Sequence, residues 1–268
     1  MAKVHFIGAG QMAEAIIRAA LASKTLLAEH ISIDDIDPER ISLLQEKYQL
    51  PASAGSPDAA LAQARLIVIG VRPQDDIASV AGRIRQHAAP ESIVISIVAG
   101  VKINRLESLL GNTRPIARVI PNTLTDTGYG YSGVALNSHV HADDVDDFLS
   151  SFGKVTYLEE KLIDIFTGFG VAGPNYIYYF IESLTDAGVL AGLPRTLATR
   201  LVLENLIGAV EMLKLTQLHP RQLLDINNSP AGVGMHGLYE LNNSDFAAGL
   251  QRSVLAAVKR TTQLADIE

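Results

Sequence analysis

The sequence predicts an α/β fold: an N-terminal domain built on a mainly parallel sheet, followed by an all-α C-terminal domain. Three observations carry this. A short apolar run at the N-terminus ends in a glycine turn that opens a helical pattern. Two later runs, RLIVIGV (65–71) and SIVISIV (92–98), are continuously apolar, as parallel strands covered on both faces are. Beyond residue 160 strand-like runs vanish and helical spacing takes over. The expected division is 1–160 and 161–268.

The first element runs from Val4 to Ile7, then Gly8-Ala9-Gly10, then a helix from Gln11. Gly8 permits a sharp exit from the strand, Gly10 lets a pyrophosphate approach the backbone, and Ala13 lets helix and strand pack closely. The N–H groups and positive dipole end of the new helix suit phosphates. Gly8, Ala9, Gly10, Gln11, Met12 and Ala13 are therefore candidate dinucleotide contacts in a Rossmann-type domain. The helix is expected to turn Met12, Ala15, Ile16, Ala19 and Ala20 inward and Glu14 and Arg18 outward. A second strand, His30 to Ile33, ends at Asp34-Asp35, and Pro38 opens a helix to about Tyr48. Asp35 lies 22 positions after Ala13, where this fold sets the acid that accepts from the ribose hydroxyls. One of Asp34, Asp35 and Asp37 is expected to cap that helix. A 2′-phosphate would want cations or hydroxyls here. Ile36 offers none and Arg40 is the nearby cation, so NAD(H) is favoured, with NADP(H) the alternative.

The run from Arg65 to Val71 stops at Arg72-Pro73, at a carboxyl end where open α/β sheets bind ligands. The run from Ser92 to Val98 ends in Ala99-Gly100, and a strand from Pro115 to Ile120 ends in Pro121-Asn122-Thr123. Gly128, Gly130 and Gly133 mark a loop before a short strand around Val134 to Leu136. His139, His141, Asp143 and Asp144 are weighed as a metal cluster and read instead as a turn whose acids open a helix from about Asp143 to Phe152. Lys154 to Leu158 is expected as the edge strand.

In the C-terminal part, Pro174 opens a helix to about Ala191 that is apolar nearly all round, interrupted by Glu182 and Asp186. Such a helix is buried on most sides, and a domain of roughly 110 residues has difficulty burying it alone. A second subunit wrapping it is the expected solution. Further helices follow from Pro194 to about Leu215 and from Pro220 to about Asn227. Ser229 to Gly234 then forms a small-residue loop, and Ser244 caps a closing helix to about Leu264.

The formal charge is −7 with no long basic run, which argues against nucleic acid or an anionic membrane as partner. The chain has no cysteine, hence no disulfide, thiolate chemistry or sulfur metal site. It shows neither a signal-peptide pattern nor a bilayer-spanning stretch, and a cytoplasmic location is expected.

Six ordered stretches then stand out: IGAGQMAEAI, GVRPQ, SIVAGV, IPNT, AGPNYIYYFIESLTDAGVLAGLPR and HPRQLLDINNSPAG. In order and spacing the chain resembles pyrroline-5-carboxylate reductase from end to end. The resemblance implies NAD(P)H-dependent reduction of a cyclic imine to L-proline, and a helical domain that interlocks with a second subunit, sometimes building decamers from dimers. It implies cofactor contacts at Gly8 to Ala13, at the end of the second strand, at Val71, Arg72 and Pro73, at Ala99 and Gly100, and at Asn122. Arg72 replaces the family's usual lysine and Gln11 its usual asparagine. The implied substrate contacts are Asn175, Ser229, Ala231, Gly232, Val233 and Gly234. Here the match is looser. The family's G-S-G-P-A-Y reads Val171-Ala172-Gly173-Pro174-Asn175-Tyr176, its S-P-G-G-T-T reads Ser229-Pro230-Ala231-Gly232-Val233-Gly234, and its M-P-N-T-P reads Ile120-Pro121-Asn122-Thr123-Leu124. The resemblance gives Ser229 and the glycine-rich backbone the substrate carboxylate, and puts Gly234 where a threonine would reach the ring nitrogen. Asn175, polar where the family has alanine, is the candidate substitute.

Imine reduction suits this residue set. An iminium carbon is already electrophilic and needs positioning more than a side-chain acid or base, so no catalytic side chain is assigned. A β-hydroxyacid dehydrogenase of the same layout would need a lysine base on the first long C-terminal helix, and no lysine occurs between Lys161 and Lys214. The expected function is reduction of pyrroline-5-carboxylate in proline biosynthesis. The alternatives are a paralogue acting on another cyclic imine and a cofactor-binding regulatory paralogue without turnover.

Overall fold

β1 (Val4–Ile7) is buried at all four positions and leads through the glycine turn into α1 (Gln11–Ala22). β2 (Ile31–Asp34), α2 (Pro38–Tyr48), α3 (Pro57–Gln63), β3 (Leu66–Ile69), α4 (Ile77–His87), β4 (Ile93–Ser96), α5 (Ile103–Leu110) and β5 (Ile116–Pro121) continue the alternation. The computed structural model describes residues 3–51, 56–72 and 74–265. After β5 come β6 (Tyr131–Leu136), the short α6 (Asp146–Leu149), β7 (Lys154–Tyr157) and α7 (Glu160–Phe166), which widens into a π turn over Thr167–Val171.

The seven strands form one sheet in the order β2-β1-β3-β4-β5-β6-β7. All neighbours are parallel except β5 and β6, and β7 closes the edge as expected. Both faces are packed, which explains the unbroken apolar runs. Phe6, Val68, Ile95 and Val119 enter one core with Ile16, Ile17, Leu44 and Phe148. Their strand neighbours Ile7, Ile67, Ile69 and Val94 enter the other with Leu61, Ile84 and Leu106. The chain runs outward from β1 to β2 and then returns to β3 on the far side of β1. The strand order therefore reverses beside β1, the place where open α/β sheets form their ligand crevice.

Three local expectations are corrected. Glu14 points inward, 6 % exposed, because Arg40, Lys47 and Tyr48 of α2 supply it with donors. Residues 142–152 are not one helix. They break into 3₁₀ turns on either side of α6, with His141 and Asp144 closing a capping box at the first. A further helix, absent from the sequence reading, follows the small-residue loop.

The helices of the C-terminal part are α8 (Gly173–Leu190), α9 (Arg195–Thr216), α10 (Pro220–Ile226), α11 (Val233–Asn243) and α12 (Phe246–Ala265). α11 was not expected because glycines at 232, 234 and 237 mask its spacing; Val233 and Gly234 form its first turn rather than a loop. Ser244 Oγ accepts from the Phe246 N–H at the start of α12. The chain forms two compact units, one of residues 173–256 and one built on the sheet. α7 belongs with the sheet because Arg118 of β5 ion-pairs with its Glu160 and Asp164. The end of α12 belongs there too. A β-carbon on Gly168 would fall 2.6 Å from the backbone of Val258, so only glycine allows that approach. In the helical unit, α8 and α9 pack at Gly188, where a β-carbon would lie 2.9 Å from that of Ala198. The expected burial of α8 is not achieved within one chain: Ile177 is 53 % and Tyr179 78 % exposed. Among the described residues no helix is long and apolar enough to cross a membrane.

Candidate active site

The N-terminal candidates sit on the carboxyl ends of β1 to β5. Gly8 has φ +95°, and a β-carbon there would fall 2.7 Å from the Gly70 carbonyl group, so the turn beyond β1 closes on the turn beyond β3 through glycine alone. The Gly8 N–H donates to the Asp34 carbonyl at 2.8 Å, and the Gly70 N–H to that of Ile7 at 2.8 Å. Gly10 is the N-cap of α1, and a β-carbon on it would meet nothing within 4 Å. The first-turn N–H groups of Gln11, Met12 and Ala13 have no intrahelical acceptors. This open, positively polarised helix start is a fit for an anionic pyrophosphate.

The three acids at the end of β2 and just after it, Asp34, Asp35 and Asp37, have three different tasks. Asp34 takes Arg83 at 2.8 Å. Asp37 caps α2 by accepting from the Glu39 and Arg40 N–H groups. Asp35 accepts from the Ala9 N–H at 2.6 Å and the Asp37 N–H at 2.9 Å, and so locks the glycine turn to the end of β2. Arg40 is equally committed: its Nε donates to the Ala9 carbonyl at 2.7 Å, and its guanidinium meets Glu14. The donors on Glu14, Lys47 foremost and then Arg40 and Tyr48, outweigh burial and hold its carboxyl down at about 2.

Val71 and Arg72 follow β3. The Arg72 guanidinium is turned onto Asp75 at 2.9 Å, and Pro73 lies outside the described residues. Ala99 and Gly100 follow β4, with Gly100 at φ +84°. Their loop is pinned at its far end, where Glu160 Oε1 accepts from the Ile103 N–H at 2.6 Å. Asn122 follows β5 and is 1 % exposed. Its Oδ1 accepts from the Leu124 and Tyr131 N–H groups, while its Nδ2 is a buried donor without a partner. An open helix start, a fixed carboxylate and an orphaned amide donor, all at strand ends, fit a dinucleotide.

The substrate candidates lie in the helical unit. Asn175 is exposed in the first turn of α8. Ser229 to Gly232 form a tight turn, with the Gly232 N–H donating to the Ser229 carbonyl at 3.0 Å. A β-carbon on Gly232 would fall 2.5 Å from Ser229 Oγ, so a side chain there would displace that hydroxyl. Ala231 holds φ +58°, a left-handed conformation that glycine adopts at less cost. Gly232 caps α11, and Val233 and Gly234 begin it. The sequence reading missed Asn228, whose Oδ1 is buried without a partner beside Gly234. An asparagine before Ser-Pro signals only a turn. It also missed Arg118, a wholly buried cation that nothing in a strand pattern distinguishes.

A family model for pyrroline-5-carboxylate reductase dimerisation matches residues 160–264, and one for NADP oxidoreductase, coenzyme F420-dependent, matches residues 3–100. The pyrroline-5-carboxylate reductase of Synechocystis sp. is 35 % identical over 268 residues, spanning 98 % of this chain and 98 % of that protein. The pyrroline-5-carboxylate reductase of Pisum sativum is 34 % identical over 262 residues, spanning 97 % and 94 %. The crystal structure of Plasmodium falciparum pyrroline carboxylate reductase with NADP bound matches with a TM-score of 0.88 at 31 % identity, covering 98 % of each chain. With such identity sustained across both the sheet and the helical unit, the chain belongs to the pyrroline-5-carboxylate reductase family.

Proposed function

We propose that this chain is an NAD(P)H-dependent reductase of a cyclic imine, converting pyrroline-5-carboxylate to L-proline in proline biosynthesis, as a cytoplasmic homodimer with residues 161–268 as its dimerisation and substrate part. The observation that carries the reading is a family match over 98 % of both chains, which spans the stretches of the cofactor and the substrate candidates alike.

A bound nicotinamide dinucleotide would supply the hydride. The residues to hold it are Gly8 to Ala13 at the pyrophosphate, Asp35 at the adenosine ribose, and Val71, Arg72, Ala99, Gly100 and Asn122 along the strand ends. Pro73 is kept as a candidate from the sequence. Asn122 Nδ2 gives an amide donor to a polar group of the ligand. In the helical unit, Ser229 Oγ and the free N–H groups at the start of α11 are suited to a carboxylate, with Ala231, Val233 and Asn175 completing the candidate set. No general base is required, because the protonated imine carbon accepts a hydride directly and the protein's work is orientation and exclusion of water.

We further propose a preference for NADH. The carboxylate of Asp35 is fixed by two backbone N–H groups, and Arg40, the cation next to it, is neutralised by Glu14. A 2′-phosphate would meet a fixed negative charge without an uncommitted cation, which is discrimination by repulsion. The relative from Plasmodium falciparum was crystallised with NADP, so the preference belongs to these residues and not to the fold. Steady-state kinetics with pyrroline-5-carboxylate test both points. Turnover is expected with NADH favoured by about tenfold or more in kcat/KM, and Asp35→Ser should shrink that ratio, a tenfold factor being about 1.4 kcal/mol. Absence of turnover on cyclic imines of any ring size would overturn the enzyme reading in favour of a regulatory paralogue, and a large NADPH preference would overturn the role of Asp35.

A further inference from the structure

Position 234 carries glycine where the resembled pattern has threonine, and the structure gives a reason. A β-carbon on Gly234 would collide with Oδ1 of Asn228. The space for a side chain at 234 is already filled by a polar group from another residue. The orientation of that amide is determined. Its Nδ2 donates to the Leu224 carbonyl at 2.6 Å, and only the NH₂ end of the amide can do so. The oxygen end therefore faces the start of α11, where it is buried and has no donor. An acceptor left in this condition is costly, and it is adjacent to the Ser229–Gly232 turn and the open N–H groups of α11.

Resting on the imine-reductase reading above, we propose that Asn228 is a specificity-determining residue: its Oδ1 accepts the N–H of the protonated ring nitrogen, supplying from position 228 the polar contact that residue 234 lacks. The chemistry is complementary. The substrate's anionic end needs donors, which the helix start and Ser229 provide, and its cationic end needs an acceptor, which the unpartnered amide oxygen of Asn228 offers beside this turn. Asn228 and Gly234 are then a coupled pair. Restoring a side chain at 234 alone displaces the amide, whereas removing the amide alone leaves the ring nitrogen unread.

L-proline and its oxygen isostere, tetrahydrofuran-2-carboxylate, separate this role from a packing role. They share ring and carboxylate and differ in the N–H. Calorimetric titration of the full chain with NAD⁺ present should show Asn228→Ala weakening L-proline by about tenfold while changing the isostere by less than about twofold. Asn228→Asp, which keeps an acceptor but loses the donor to the Leu224 carbonyl, should bind L-proline more tightly than Asn228→Ala does. In kinetics, Asn228→Ala should raise KM for the imine more than it lowers kcat and leave KM for NADH unchanged. Gly234→Thr should lose activity alone and recover most of it in combination with Asn228→Ala. Equal losses for both ligands, no loss for either, or additive effects in the double variant would overturn the role of Asn228 in an enzyme that still turns over. Absence of imine turnover by the unsubstituted protein would instead overturn the functional reading, and this inference with it.

Discussion

The two units hold their candidate residues in opposite ways. In the sheet unit several are tied down from neighbouring elements: Asp35 at the end of β2 grips the glycine turn, Arg40 of α2 grips Ala9 from the other side, and Glu160 of α7 pins the loop after β4. The core beneath is closed, with Phe6, Ile17, Ile67 and Ile95 at 0 % exposure. In the helical unit the Ser229–Gly234 segment rests on one tight turn, and large apolar side chains are open, among them Ile207 at 62 % and Leu215 at 80 %. A single chain completes the first unit and leaves the second with the apolar surface of an interface. The candidate cofactor residues stand at the ends of buried strands, whereas the Ser229–Gly234 turn stands between helices with open apolar side chains.

The contrast breaks most sharply at Arg118. Its side chain is 1 % exposed and holds Asp164 at 2.7 Å and Glu160 at 3.4 Å. Arg118→Leu leaves two carboxylates without their cation and should cost about 3–5 kcal/mol in urea unfolding, with the loop after β4 loosened through Glu160. A loss under 1 kcal/mol would mean that the sheet unit is less dependent on cross-element ties than its geometry implies.

The next effect belongs to the other unit. Ile207→Glu puts a charge on the open face of α9. In a homodimer it should weaken association by about 2–4 kcal/mol, read as a shift toward monomer in sedimentation equilibrium, while NADH binding by the sheet unit persists. An unchanged dimer would place the interface elsewhere.

Acid should act first on the sheet unit. Burial lowers His5 from an ordinary 6.5 to about 4, so it is neutral in the fold and charges more readily once unfolded. Its contribution is present above pH 6.5 and is lost as pH falls through about 4. Glu14, held at about 2 against an ordinary 4.5, adds a second loss between those values. Chemical unfolding across this range should show stability falling in both windows, with His5→Asn flattening the upper one. A flat profile above pH 4.5 would contradict a neutral His5.

The smallest effect sharpens the comparison within the helical unit. Ala231 at φ +58° bears a side chain in a conformation suited to glycine. Ala231→Gly should therefore stabilise the turn, by about 1 kcal/mol at most because glycine also costs entropy. Thermal unfolding measures it, and a destabilisation of that size would show that the methyl group is packed by something the single chain does not provide.

Local chemistry in the sequence was sufficient for the Rossmann-type alternation, the glycine turn, the start of α2 at Pro38, the helix after Pro174 and the family itself. Each of these depends on neighbours a few residues apart: a period of apolar positions, a proline at a first turn, a glycine where φ is positive. What needed the tertiary structure was partner choice across the chain. Glu14 looked outward on its own helix, yet α2, some thirty positions on, supplies three donors to it. Asp35 read as an acid for the ribose and Arg40 as the cation nearest a 2′-phosphate, yet both first brace Ala9. Gly234 looked like a vacancy, yet Asn228 fills it. A periodic pattern encodes which face of an element is apolar, and it carries no record of which distant donor will meet which acceptor. That pairing is settled only when the elements pack.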